Sequence, residues 1–254
     1  MSLDNQTKIN QLLIQGVPNG LYFSDWLKMK GYSDQLLNKY RKSGWLTSLS
    51  KGVMYRTGST LSAYAALHCY NQQMNKAFRI AAHSALELSG FNHYVPMGKP
   101  ILMVAHLKQN IPNWIKSNQF DRAIKTFSTE TFAEPQTTTM NIAGLDLIVS
   151  SPEQAFMECL LLAPNQYNYM DLYYIMEQLT TLRPEIVQHL LETTKSQKVK
   201  RMFLYMAEKA NHYWFEMLDV SRIELGNSKY QLVDGGIYIA KYKITIPKEL
   251  NDYE

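Results

Sequence analysis

The 254-residue sequence lacks several features that would indicate a function directly. It has only two cysteines, Cys69 and Cys159, and their wide separation matches no metal-ligand spacing. No apolar run approaches the length of a membrane span, and the first residues lack the basic and then apolar pattern of a secretory signal. We therefore predict a protein of the reducing cytoplasm that has no membrane attachment.

Catalytic motifs are also missing from the sequence. The six histidines form no ligand pattern, and Gly235 with Gly236 fits a turn between strands better than a phosphate-binding loop. Ser84 follows His83 without the pattern of a nucleophile elbow. We therefore predict no catalytic residue, no metal and no cofactor.

A nuclease is the enzymatic alternative. Asp146 in a predicted strand, followed by Glu153 and Glu158, resembles a pair of metal-binding carboxylates. The acid and the lysine that usually lie two residues apart on the next strand are missing. Glu153 also fits the first turn of a helix, where negative charge is favourable by about 0.3–1 kcal/mol.

Positive charge is concentrated near the start of the chain. Residues 1–58 contain eight lysines and arginines and three aspartates, which gives a net charge of +5. Residues 59–254 have a net charge of −1, so the modest total of +4 comes from the first segment. Such a charge distribution would steer a polyanion toward residues 1–58.

The segment 23–56 has the pattern of a winged helix-turn-helix. A first helix is predicted to begin at a Ser24 cap and to end at Gly31, because glycine adopts the left-handed conformation without steric cost. A second helix is predicted from a Ser33 cap to Ser43, and the two helices with their tight turn form a helix-turn-helix. Two short β-rich runs follow, residues 45–47 and 53–55, and residues 48–52 are predicted to form the turn of a wing.

The second of these helices decides the functional prediction. Leu36, Leu37 and Tyr40 share one side and are predicted to pack inward. The opposite side is polar and basic, and amide and guanidinium groups can pair with base edges while lysines contact phosphates. With the wing, the predicted DNA-binding residues are Gln35, Asn38, Lys39, Arg41, Lys42 and Lys51.

The predicted fold class is α+β, with a winged helix-turn-helix domain over residues 1–58 and a larger mixed α/β domain over 59–254 whose C-terminal part is helical. Helices are predicted over residues 4–15, 61–74 with a Thr60 cap, 84–88, 152–162, 169–180, 184–193 and 196–216. A further helical turn is predicted at 113–117. Strands are predicted over 78–81, 101–105, 123–127, 138–142, 145–149, 230–233 and 237–246.

A second basic cluster lies at the start of the last of these helices. It consists of Lys195, Lys198, Lys200 and Arg201. Positive charge at this end opposes the helix dipole, so one interpretation is a site for an anion such as a DNA phosphate or an acidic partner. The other is a solvated basic face. We include Lys198, Lys200 and Arg201 among the predicted DNA-binding residues.

Several blocks of residues carry a family resemblance that covers most of the chain. In the winged segment they are Pro18, Gly20, 24–27, 31–33, Leu36, Tyr40, 42–46, Gly52, Val53 and 55–58. Further blocks are 85–88 with Gly90, His93 and Tyr94, and 151–153 with Ala155, Phe156 and Glu158. In order and spacing this set resembles the AbiEi-type antitoxins of bacterial abortive-infection toxin–antitoxin systems.

The resemblance implies an autorepressor whose winged helix binds inverted repeats in its own promoter. It also implies a C-terminal antitoxin domain that opposes a nucleotidyltransferase toxin. The implied partners are double-stranded DNA and the cognate toxin, which is either bound directly or opposed functionally. Two alternatives stay open: a non-catalytic module whose winged fold binds a protein, and an enzyme that acts on nucleic acid.

Overall fold

The computed structural model describes residues 8–91 and 98–253. Residues 4–7 of the predicted first helix, together with His93 and Tyr94, lie outside the described residues.

The chain divides into two compact units. Their described parts are 8–79, 98–126 and 139–148 in the first unit, and 80–91, 127–138 and 149–253 in the second. These units do not coincide with the functional boundary after residue 58, which stays a prediction.

The first unit contains the winged segment. Its elements are α1 (Lys8–Gln15), β1 (Tyr22–Phe23), α2 (Ser24–Met29), α3 (Asp34–Lys42), β2 (Leu46–Ser50) and β3 (Val53–Arg56). Strand β3 pairs antiparallel with both β1 and β2, so the sheet has the order β1-β3-β2. Three helices beside a small sheet that ends in a hairpin form a winged helix-turn-helix. Strand β1 is an addition to the elements that the sequence predicted.

One apolar cluster holds the winged segment together. The helices contribute Leu12, Leu27, Leu37 and Tyr40, the strands contribute Tyr22, Leu46 and Met54, and Tyr32 comes from the turn between α2 and α3. Burial of such side chains contributes about 1.5–3 kcal/mol each, which offsets the conformational entropy lost by these short helices.

The glycine turns lie where the sequence predicted them. Gly31 (φ +84°) follows α2, and Gly44 (φ +75°) follows α3. The cap prediction for α2 was wrong, because Ser24 is its first helical residue and Phe23 occupies the cap position. The backbone N–H of Ser24 donates instead to the carbonyl of Gly52 at 2.8 Å, so a contact with the wing fixes the start of this helix.

The wing is longer than predicted. Strand β2 begins at Leu46 rather than at Trp45 and continues through Ser50, with a register shift between Ser48 and Ser50. The turn is therefore confined to the end of the predicted 48–52 segment, where Gly52 has φ +75°. A bulge of this kind inserts an extra residue into one strand and bends that strand locally.

Helix α4 (Ala63–Met74) begins later than predicted. Its cap is Ser62, whose side chain accepts a hydrogen bond from the N–H of Ala65, and not Thr60. Leu61 forms a β-bridge with Phe120 and is therefore held in extended backbone.

A five-stranded sheet and one helix follow in chain order. They are β4 (Arg79–Ile80), α5 (Ala82–Leu88), β5 (Ile101–His106), β6 (Ala123–Ser128), β7 (Thr137–Ile142) and β8 (Leu145–Ser150). The strand order is β6-β5-β4-β8-β7. Each of these elements was predicted to within two residues, as was the helical turn Asn113–Lys116. Ala143 and Gly144 both have positive φ, which confirms the bend predicted between β7 and β8.

The second unit contains four consecutive helices in its C-terminal part. They are α6 (Pro152–Leu162), α7 (Tyr169–Gln178), α8 (Pro184–Thr193) and α9 (Gln197–Lys209), followed by 3-10 turns at Tyr213–Met217 and Val220–Arg222. A small sheet of order β10-β11-β9 comprises β9 (Tyr230–Gln231), β10 (Ile237–Ile239) and β11 (Ile244–Ile246), and α10 (Lys248–Asp252) closes the described chain.

Two predictions for this part were wrong in extent. Helix α9 ends at Lys209 rather than near Glu216, because Asn211 adopts the left-handed conformation (φ 53°) just after it. The predicted strand 237–246 is a hairpin of two strands, with Lys243 at positive φ before the second. The fold class itself is confirmed: the chain is mixed α and β, with an N-terminal winged domain and a larger remainder. Within the described residues, no helix is long and apolar enough to cross a membrane.

Candidate nucleic-acid interface

Local capping and core packing fix the orientation of helix α3. The Ser33 hydroxyl accepts a hydrogen bond from the N–H of Leu36 at 3.3 Å, as the sequence predicted. Leu37 and Tyr40 retain only 2% and 7% of their exposure, and Leu36 is partly buried. The N–H of Trp45 donates to the carbonyl of Tyr40 at 2.9 Å, which ties the end of the helix to the wing. The opposite face of α3 is consequently held toward solvent.

All six residues predicted for this surface are exposed. They are Gln35, Asn38, Lys39, Arg41 and Lys42 on α3, and Lys51 at the hairpin turn. We call this set the α3–wing surface. It combines four cations with two amides, which are the groups that contact phosphates and base edges. The acid in the first turn of α3, Asp34, forms an ion pair with Lys28 at 2.9 Å, so its charge is partly balanced.

Within the α3–wing surface, Arg41 connects the helix to the wing. Its Nη2 donates to Oδ1 of Asn38, and its Nη1 donates to the hydroxyl of Ser48 on β2 at 3.4 Å. The spacing of Asn38 and Arg41 by three residues is a sequence signal for contact on a helix. Ser48 was missed, because only the folding of the hairpin brings it to the guanidinium.

The basic cluster predicted on α9 is not a surface cluster. Lys200 and Arg201 are 4% and 1% exposed, and Lys198 is half-buried. Burial lowers the pKa of all three side chains below their ordinary values. Of the four bases only Lys195 is exposed. The prediction that Lys198, Lys200 and Arg201 present a basic face to DNA was therefore wrong.

Hydrogen bonds to backbone carbonyls hold Lys198 and Arg201 in these buried positions. Lys198 Nζ donates to the carbonyl of Leu161 at 2.8 Å and to that of Ala163. The Arg201 guanidinium donates to the carbonyls of Leu225 and Lys243, in the second case at 2.7 Å. These side chains bind segments of their own unit together rather than an external anion.

The carboxylates of the nuclease alternative have structural partners as well. Glu158 is fully buried and accepts hydrogen bonds from the N–H of Ala82 at 2.9 Å, from Ser150 and from Gln154. Asp146 is exposed and accepts from Asn141 at 2.7 Å. The described residues, 8–91 and 98–253, contain no group of three or more His, Cys, Asp or Glu side chains that could hold a metal ion.

Glu153 lies in the first turn of α6, as predicted, and also forms an ion pair with Arg183. It is 2% exposed and accepts three hydrogen bonds from Arg183, two of them from the guanidinium at 3.0 and 2.9 Å and one from the backbone N–H. Burial raises the pKa of this carboxyl, but the hydrogen bonds outweigh burial and hold its pKa below the usual range. The partner is 30 residues away, so the helix-start explanation of Glu153 was incomplete.

The Glu153–Arg183 pair predicts a pH-dependent contribution to stability. Because the folded protein lowers the pKa of Glu153, the stabilisation is complete above the unfolded-state pKa and is lost as pH falls through the folded one. Glu153→Gln should lower the free energy of unfolding by about 2 kcal/mol at pH 7, and the difference should shrink toward about pH 3. Urea unfolding at both pH values measures this. Glu216→Gln, at an exposed acid outside this pair, is the control. An equal loss of stability from Glu153→Gln at both pH values would contradict the ionised pair.

These features define the class of protein to which the chain belongs. It is a winged helix-turn-helix protein with an exposed cationic helix and a larger mixed α/β remainder. The chain belongs to the AbiEi antitoxin family, since family models match nearly all of it. Residues 5–97 match "Transcriptional regulator, AbiEi antitoxin N-terminal domain", and residues 99–247 match "Transcriptional regulator, AbiEi antitoxin, Type IV TA system". The resemblance inferred from the sequence is thereby confirmed.

Other comparisons address the fold. The crystal structure of the RV2827C protein from Mycobacterium tuberculosis is similar, with a TM-score of 0.64 over 93% of this chain and 88% of that chain. The two sequences are 14% identical, so this likeness supports the fold alone. A search of curated proteins found no match.

Proposed function

We propose that this chain is a DNA-binding autorepressor that recognises its own promoter through the α3–wing surface. The observation that supports this proposal most strongly is the exposed row of amides and cations on α3, opposite the buried Leu37 and Tyr40. Membership of a family of transcriptional regulators agrees with it. In this proposal residues 1–58 form the DNA-binding domain, the operator contains inverted repeats, and the protein acts in the cytoplasm.

We propose further that residues 59–254 serve as the antitoxin domain and oppose a nucleotidyltransferase toxin. Support comes from the family description, which places such proteins in type IV toxin–antitoxin systems. We propose no catalytic activity for the chain. In support, the carboxylates that suggested a nuclease are engaged with neighbouring side chains and backbone groups.

Two substitutions on α3 should separate base reading from phosphate contact. Asn38→Ala should weaken binding to the promoter by about 1–3 kcal/mol and change binding to random DNA little, because its amide is proposed to contact a base edge. Lys42→Ala should weaken binding to both DNAs alike, because a phosphate contact carries no sequence information. Fluorescence anisotropy of labelled duplexes with the intact protein measures both affinities.

The exposed Lys195 offers a control for this comparison, since Lys195→Ala removes a cation outside the α3–wing surface. Equal losses on both DNAs for Asn38→Ala would contradict base reading by that residue. If the intact protein binds neither its promoter nor random DNA, the proposed function fails.

A further inference from the structure

Asn38, Arg41 and Ser48 form a connected group on the α3–wing surface. All three side chains are exposed, yet Arg41 donates to both of the others. The group spans two elements, because Asn38 and Arg41 lie on α3 whereas Ser48 lies on β2. Its geometry therefore depends on the hairpin as well as on the helix.

The chemistry of arginine fixes the orientation of the Asn38 amide. A guanidinium has only donors, so the atom of Asn38 that faces it has to be the oxygen. The amide nitrogen of Asn38 consequently points away from Arg41.

This orientation changes which base the group can read. An asparagine that recognises adenine accepts a hydrogen bond from the N6 amino group while it donates to N7. Here one lone pair of the Asn38 oxygen accepts from Arg41, and the guanidinium beside the other would repel the positive edge of an adenine amino group. The free N–H groups of Asn38 and Arg41 are all donors, and guanine offers two major-groove acceptors, N7 and O6.

We infer that Asn38, Arg41 and Ser48 act as one reading group that selects guanine over adenine at one base pair of the operator. The inference rests on the proposed DNA-binding function. Ser48 is a positioning residue: its oxygen accepts from Arg41 Nη1 and holds the guanidinium beside Asn38. The contact with Arg41 matters most for Asn38, because an arginine by itself already favours guanine, whereas an untethered asparagine favours adenine.

The test uses the intact protein and a promoter fragment in which each guanine in turn is replaced by 7-deazaguanine, which lacks the N7 acceptor. Anisotropy titrations should reveal at least one guanine whose replacement weakens wild-type binding about tenfold. The same replacement should not weaken binding of Arg41→Ala further, because the lost contact is already missing. Lys42→Ala should bind all fragments more weakly and still respond to the replacement.

The role of Ser48 has its own readout. At the identified position, Ser48→Ala should reduce the preference of the protein for guanine over adenine several-fold, whereas Ser50→Ala on the same strand should leave the preference unchanged. An effect on overall affinity without a change in preference would reduce Ser48 to a structural residue.

The outcomes separate this inference from the proposed function. Binding to the promoter with no guanine coupled to Arg41 overturns the inference and leaves the proposed function intact. The same conclusion follows if Asn38 proves to contact an adenine. In that case replacement of this adenine by purine, which lacks the amino group, would weaken binding of the wild-type protein but not of Asn38→Ala. Absence of any promoter binding overturns both.

Discussion

Arg201→Ala is expected to lower the free energy of unfolding by about 3 kcal/mol, although it removes a cation from the N-terminal half of a helix. The guanidinium is 1% exposed and donates to the carbonyls of Leu225 and Lys243. Removal of the side chain takes the guanidinium donor from two half-buried carbonyls, of which that of Lys243 still accepts from the N–H of Tyr230. It also opens a cavity between α9 and the segments before β9 and β11. Relief of the buried charge and of its repulsion from the helix dipole offsets part of this loss.

Urea unfolding followed by circular dichroism measures the effect, with two variants for comparison. Lys195→Ala removes an exposed cation at the same end of the helix and should change stability by less than about 0.5 kcal/mol. Arg201→Met keeps most of the apolar volume and should recover part of the loss, since only the hydrogen bonds are then missing. A free energy of unfolding that is unchanged or raised in Arg201→Ala would show that the side chain is not buried as described.

This region shows why part of the structure could not be predicted from the sequence. Lysine and arginine side chains are exposed in most proteins, so Lys198, Lys200 and Arg201 were predicted to lie on the surface. The carbonyls that hold Arg201 belong to residues 24 and 42 positions away. The sequence around α9 does not indicate these partners. Burial of the cation becomes favourable only when the folded chain brings both carbonyls to the guanidinium.

The winged segment was predictable because its determinants are local. Gly31, Gly44 and the Ser33 cap each act within one helical turn, and the inward positions of Leu37 and Tyr40 follow from helical periodicity. The exposure of the predicted α3 residues follows from the same periodicity. Their hydrogen bonds do not, since the contact of Arg41 with Ser48 depends on the wing.

The errors at helix starts have a common cause. Ser24 and Thr60 are good caps by residue type, but the observed cap positions are Phe23 and Ser62. A backbone contact with Gly52 determines the first case. In the second, a bridge of the preceding residue to Phe120 keeps the backbone extended up to the cap. In both cases backbone pairing with a distant residue, rather than residue type, determines where the helix starts.

The second large effect concerns DNA affinity. We expect the quadruple variant in which Lys39, Arg41, Lys42 and Lys51 become alanine to bind the promoter about a hundredfold more weakly near physiological salt. Each phosphate contact releases counterions and contributes about −0.9 to the slope of log affinity against log salt. The variant should therefore show a shallower slope by about 0.9 for each of the four residues that contacts a phosphate.

A matched control separates a specific surface from a general effect of net charge. The exposed lysines Lys76, Lys116, Lys195 and Lys248 lie outside the α3–wing surface, and their replacement by alanine removes the same formal charge. This control variant should retain a slope and an affinity close to those of the wild-type protein, with only the small loss that weaker long-range attraction produces.

The most direct test of the proposed function is the salt dependence of promoter binding. It is measured for the wild-type protein, the quadruple α3–wing variant and the matched control. The proposed function predicts a steep slope for the wild-type protein and the control, and a shallow slope with weak binding for the α3–wing variant. Equal slopes and affinities for all three proteins, or a flat salt response of the wild-type protein, would contradict DNA binding through this surface.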